Sequence, residues 1–175
     1  LWYPHMKGAR SFTAMIMNMS DACVRVRRTL RQRGPNARFL HIDTGEAHVA
    51  LGANPEGALW ADYLSARRFL VDDLITGRMK QEHPLFSELV RHGASEEDLE
   101  RFAAFPGLVN IRGLDYYRQS EWEWTGRGQG RWSENRRGFA SVALDYVHRY
   151  QLPVMLAETN FSGSPDLRVD WLRHM

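Results

Sequence analysis

Between residues 11 and 33 the apolar side chains Phe12, Met15, Ile16, Met19, Ala22, Cys23, Val26 and Leu30 recur at intervals of three and four. That spacing lays one stripe along a helix, and Gly34 and Pro35 end it. Phe39, Leu40, His41 and Ile42 then form a short apolar run into Asp43, Thr44 and Gly45, which predicts a buried strand followed by a loop. Helical spacing returns over 59–76, with Trp60, Tyr63, Leu64, Phe69, Leu70 and Leu74 on the inner face. There Arg67, Arg68, Asp72 and Asp73 read as a solvated face, and Gly77 closes the helix. Ser95 with Asp98 three residues on has the form of a capping box, opening a short helix that runs through Phe102 and closes before Pro106. Leu108, Val109, Ile111 and Leu114 predict a strand ending at Asp115, Tyr116 and Tyr117. Residues 118–137 mix glycine, tryptophan and charge without a period and read as a long loop, a length that in compact domains usually accompanies function. Phe139, Val142, Ala143, Tyr146, Val147 and Tyr150 restore helical spacing. The apolar run from Pro153 to Ala157 makes a third strand that stops at Glu158, and Ser164 and Pro165 fit the cap and first position of a last helix containing Leu167, Trp171 and Leu172.

Helices therefore alternate with short, uniformly apolar strands, the pattern of parallel strands covered on both faces. The expected fold class is α/β, and an open doubly wound sheet and a closed barrel both fit. Either architecture gathers ligands at the carboxyl ends of its strands. No phosphate-cradling glycine pattern opens a helix, which weakens the nucleotide-binding version.

Composition narrows the classes further. With 175 residues, 43% hydrophobic and 25% charged, the chain suits one folded domain. Twenty-three basic against 21 acidic residues give no electrostatic reason to expect nucleic acid. Cys23 is the sole cysteine, so an internal disulfide is excluded and a reducing cytoplasm is the expected compartment. No apolar run is long enough to suggest a membrane span, and residues 1–7 lack the pattern of a signal peptide.

The three strands end on His41 and Asp43, on Asp115 and Tyr117, and on Glu158. A single strand-end acid has an ordinary explanation as a helix cap or an arginine's partner; three such ends point to a site. Glu158 leads, because an apolar strand delivers it to a place where burial and neighbouring donors can tune a carboxyl for attack on a sugar's anomeric carbon. A metal is not expected, since His83 and His92 are isolated and His41 with Asp43 is a lone pair. Trp122, Trp124 and Trp132 fall in the polar stretch, where flat indoles either stack on pyranose rings or fold back as a small aromatic cluster.

Two segments resemble family 1 glycoside hydrolases, which are retaining β-glycosidases on a (β/α)8 barrel. Ile111 to Tyr117, Ile-Arg-Gly-Leu-Asp-Tyr-Tyr, resembles the sixth-strand pattern Phe-Ile-Gly-Leu-Asn-Tyr-Tyr. Leu152 to Asn160, Leu-Pro-Val-Met-Leu-Ala-Glu-Thr-Asn, is similar to the seventh-strand motif Pro-Ile-Tyr-Ile-Thr-Glu-Asn-Gly. The resemblance implies that Glu158 is the nucleophile and Tyr117 the tyrosine that hydrogen-bonds to it. Asp115 stands where the family has asparagine, and Thr159 and Asn160 replace its Asn-Gly. Asp115, Trp122, Trp124, His41, Asp43 and Asn160 are the expected sugar contacts; no cofactor is implied.

A retaining glycosidase needs a second carboxyl group about 5 to 5.5 Å from the first. The family's Asn-Glu-Pro motif is missing here, and Leu1, Trp2, Tyr3 and Pro4 resemble the loop just after it. The chain is thus expected to be one incomplete barrel domain over residues 1–175, carrying the equivalents of the fifth to seventh strands and their flanking helices. Its expected partners are a carbohydrate and the rest of its own barrel or further copies, and alone it should turn over no glycoside. A degenerate sugar-binding barrel and an unrelated open α/β binding module are the competing expectations.

Overall fold

A computed structural model describes residues 7–104 and 109–175. The expectations placed on Leu1 to Pro4, Pro106 and Leu108 lie outside the described residues. The chain divides into two compact units, Leu1–Phe39 with Phe69–Val109, and Leu40–Arg68 with Asn110–Met175. It is a mixed α/β protein, with seven α-helices and two three-stranded sheets among the described residues.

The first unit is helical: α1 (Ala9–Arg33), α3 (Leu70–Ile75), α4 (Phe86–Arg91) and α5 (Glu96–Ala103). Helix α1 ends at Gly34 as its sequence predicts, but its buried face is Thr13, Ile16, Ser20, Val24 and Arg27. Met19, Val26 and Leu30 of the expected stripe are exposed. The seam is built partly on small residues that let helices approach closely, so hydropathy underweights it. Leu74, Ile75, Met79 and Leu99 fill the core. Asp73, fully buried, accepts a 3.0 Å bond from Nε2 of His83, whose Nδ1 accepts the Leu85 amide at 3.1 Å. These bonds fasten the turn after α3. The Ser95 cap is present, with its hydroxyl accepting the Asp98 amide at 3.0 Å.

The second unit holds both sheets. Strands β1 (Leu40–Thr44), β3 (Ile111–Asp115) and β6 (Val154–Glu158) are parallel in the order β1-β3-β6. The second sheet comprises β2 (Ala47–Ala50), β4 (Glu121–Gly126) and β5 (Gln129–Trp132); β2 runs parallel to β4, and β4 and β5 form an antiparallel hairpin. Helix α2 (Pro55–Arg67) packs on β2 and β4, while α6 (Phe139–Tyr150) and α7 (Pro165–His174) complete the unit. A Cβ on Gly57 would lie 2.6 Å from the Trp124 carbonyl oxygen, so only glycine allows α2 to sit this close to β4.

Several sequence expectations are corrected: Asp72 and Asp73, read as part of a solvated face, are buried, and strands β1 and β6, read as buried, are half-buried or exposed along their length. The supposed loop at 118–137 contains the β4–β5 hairpin, because Glu121-Trp122-Glu123-Trp124 alternates with the period of a strand. The helix expected over 59–76 is two helices, α2 and α3, interrupted at Arg68 and Phe69. Arg68 leaves the helix to reach the Glu46 carbonyl and the Asp145 carboxylate.

The two faces of the β1-β3-β6 sheet differ. On one, Arg112 and Leu114 are buried, and the Arg112 guanidinium lies 5.5 Å from the ring centre of Tyr146 on α6. On the other, Ile42, Gly113 and Met155 are aligned, and Leu40 and Ala157 lie beside them. This second face is apolar yet open, with Leu40, Ile42 and Met155 exposed by 40%, 49% and 44%. No helix among the described residues is long and apolar enough to cross a membrane.

Candidate active site

The parallel ladder brings the strand ends level. Thr44 pairs with Asp115 across β1 and β3, and Asp115 pairs with Glu158 across β3 and β6. Leu114 pairs with Leu156, so an unbroken ladder would set Ala157 opposite Asp115; a register shift sets Glu158 there instead. Such irregularities re-aim side chains, and they concentrate near functional sites. The Tyr116 amide donates to the Glu158 carbonyl at 2.9 Å and holds the shifted register.

The Tyr117 phenol lies within interaction range of the Glu158 carboxylate. Its phenol is pushed up to about 12, by burial first, then by its interaction with Glu158 and the charge of Asp115. It therefore stays a donor at neutral pH. The 3-10 turn Arg118–Ser120 fixes its backbone, since the Tyr117 amide donates to the Ser120 hydroxyl at 2.9 Å and the Ser120 amide returns a 3.0 Å bond. Glu158 itself is exposed at the strand end, so its carboxylate is open to an incoming electrophile.

Around this pair the sheet collects charge. Burial raises the Asp115 carboxyl above its ordinary range; Glu158 and Asp43 push it further, against the opposing pull of Arg112. Asp115 Oδ1 is buried without a hydrogen-bond partner among the described residues. Asp43 is also raised, mainly by burial, despite the Thr44 amide at 2.8 Å and Arg112 at 3.9 Å. Arg112 donates to the His41 carbonyl at 3.1 Å, which ties His41 and Asp43 of β1 to β3. Thus Asp43, Asp115, Tyr117 and Glu158 share one electrostatic neighbourhood at the carboxyl ends of the strands.

The tryptophans occupy the other sheet. Trp122 and Trp124 stack at 5.4 Å, Trp132 meets Trp122 edge-on at 6.3 Å, and Trp60 meets Trp124 at 6.2 Å. The Trp124 indole also donates to His48 at 3.2 Å. These rings form the aromatic cluster foreseen as their ordinary reading, with Trp132 still 52% exposed. Asn160 is exposed just past Glu158, and the neighbouring Thr159 hydroxyl accepts the Trp171 indole at 2.8 Å.

Sequence reasoning passed over two groups. Arg112 is 1% exposed, and an arginine inside a short apolar strand is itself the signal of a buried cation seeking acids. Glu121 is 3% exposed and accepts the Tyr116 hydroxyl at 2.6 Å and the amides of Arg137 and Gly138 at 2.7 and 3.0 Å. Burial and then this bond raise the Tyr116 phenol well above its ordinary value. Glu121 thereby ties Tyr116 to the residues that lead into α6. No group of three or more His, Cys, Asp and Glu among the described residues could hold a metal ion. No protein-family model and no curated protein matches the chain.

Proposed function

We propose that this chain carries the nucleophile half of a retaining β-glycosidase of the family 1 type, on the equivalents of the fifth to seventh strands of a (β/α)8 barrel. The observation that carries the reading is the register shift that sets Glu158 opposite Asp115 at the carboxyl end of a parallel sheet, with the Tyr117 phenol in its electrostatic reach. A carboxylate open at a strand end with a tyrosine hydroxyl beside it suits in-line attack on an anomeric carbon. The open apolar face suits an arc of a barrel whose other strands cover it, because an all-parallel sheet is covered on both faces when its architecture is complete. The remaining barrel strands are the covering proposed here.

In this reading Glu158 Oε attacks the anomeric carbon as the glycosidic oxygen leaves with a proton from an acid/base carboxyl supplied by the rest of the barrel. The resulting glycosyl ester is broken by water, whose proton returns to that acid/base, so configuration is retained. No cofactor takes part. Sugar contacts are assigned to Asp115, His41, Asp43 and Asn160 beside the nucleophile, with Trp122 and Trp124 offering an aromatic surface. A reducing cytoplasm suits the lone Cys23.

Incubating the complete protein with a 2-fluoro glycoside and mapping the labelled peptide tests this directly. The label is expected on Glu158 and lost in Glu158→Gln; an active enzyme labelled elsewhere overturns the assignment. The exposed Trp132 beside the Trp122–Trp124 stack favours a second reading, a sugar-binding barrel without catalysis. That reading requires sugar binding that survives Glu158→Gln and no product from the unaltered protein.

A further inference from the structure

We infer that a cavity in the helical unit, between α1 and α5, is an anion-binding site for a phosphoryl group. The inference does not depend on the glycosidase reading. Asp21, Val24, Arg25 and Arg28 stand at i, i+3, i+4 and i+7 along α1, so one side of the helix presents all four. Arg101 and Phe102 come from the last turn of α5. Together they line a cavity of about 170 Å³. A cavity of about 150 Å³ holds a benzene-sized molecule, so a tetrahedral oxyanion has room.

The walls carry three guanidinium groups against one carboxylate. Asp21 accepts Arg25 Nε at 2.6 Å and pairs with Arg101 at 3.4 Å, which keeps both arginines at the cavity wall. Asp98, outside the cavity, accepts Arg101 Nη2 at 2.8 Å, and the Arg101 guanidinium lies 5.9 Å from the ring centre of Phe102. A salt-bridged pair alone would be an ordinary surface feature. Here a third arginine, the half-buried Arg28, shares the same hollow, and positive charge remains in excess. Val24 and Phe102 are buried and give the hollow a dry floor, where charge is screened less than in open water. A planar carboxylate offers two oxygens and is met by one guanidinium fork. A phosphoryl group offers three and can be met by several forks from different sides.

Equilibrium dialysis of the 175-residue chain against radiolabelled inorganic phosphate tests this, at an ionic strength of about 0.1 M, where the Debye length is about 10 Å. Saturable binding of one phosphate per chain is expected. Arg28→Gln and Arg101→Gln should each weaken it about tenfold or more, the loss of one charge-assisted contact. Arg10→Gln removes the same charge about three turns of α1 from Asp21 and should leave the affinity unchanged. Competition by a hexose 6-phosphate more strongly than by phosphate itself identifies a phosphorylated metabolite as the occupant; competition by phosphate and sulfate alone identifies the free ion. The absence of saturable binding, an equal loss in Arg10→Gln, or acetate competing as well as phosphate overturns the proposal. A second readout needs no variant to fold: phosphate should shift the side-chain Nε NMR signals of Arg25, Arg28 and Arg101 in the unaltered chain. Shifts confined to other arginines contradict the site.

Discussion

Tyr117→Phe removes one oxygen and leaves the ring. In the proposed reaction this hydroxyl donates a hydrogen bond to the Glu158 carboxylate; such a bond contributes about 1.5 to 3 kcal/mol, so in the complete protein kcat/KM is expected to fall about 10- to 100-fold. Steady-state kinetics with an activated aryl glycoside check this, and a loss of less than twofold would show that the bond has no part in turnover. The role proposed for this hydroxyl comes from the sequence only by resemblance, since a tyrosine after a strand has many uses. The place of Glu158 at a strand end was legible for a physical reason: five apolar or proline residues lead to it. Arg112 was not, because hydropathy treats an arginine as solvated. Its burial depends on partners 71 residues away in sequence, such as the His41 carbonyl.

At the scale of elements, the ends of helices were the most readable. Gly34, Ser95 and Ser164 with Pro165 all terminate helices where local chemistry places them. What stayed hidden depended on distant contacts. Strand β2 has four residues and gains its identity by pairing with β4, and Arg68, where the helix breaks, bonds Asp145 at 2.8 Å across 77 residues of sequence. Asp145 also makes two 3.0 Å bonds to Arg137. Burial works to raise its carboxyl, but Arg137 and Arg68 outweigh it and hold it below the ordinary range. The stabilisation from this group is therefore complete above the unfolded aspartate value of about 3.9 and lost as pH falls through the lower folded one. Asp145→Asn is expected to lower Tm at pH 7 and to matter less in strong acid, as thermal melts at the two pH values would show. Gly113 offers a test of the sheet. A Cβ there would meet Ile42 Cγ1 at 2.8 Å, Ala157 Cβ at 3.1 Å and Leu40 Cδ1 at 3.2 Å. Overpacking of this kind costs about 1 to 3 kcal/mol, so Gly113→Ala should unfold in correspondingly less urea; an unchanged midpoint would mean the strands part without cost.

For the molecule as a whole, the open face of the β1-β3-β6 sheet governs behaviour in solution. Leu40, Ile42 and Met155 form an apolar surface, and β1 and β6 each present an outer edge without a neighbouring strand among the described residues. Exposed apolar patches and uncovered edges promote association. The chain alone is expected to bind a hydrophobic dye and to scatter more light as it is concentrated, and Leu40→Thr with Met155→Thr should reduce both. Light scattering that stays at the monomer value across a hundredfold range of concentration would refute this. A sheet with a dry side left wet makes purity and dose inseparable: a dilute preparation reports the properties of single chains, a crowded one those of clumps. Any search for sugar turnover in this protein will register that difference before it registers chemistry.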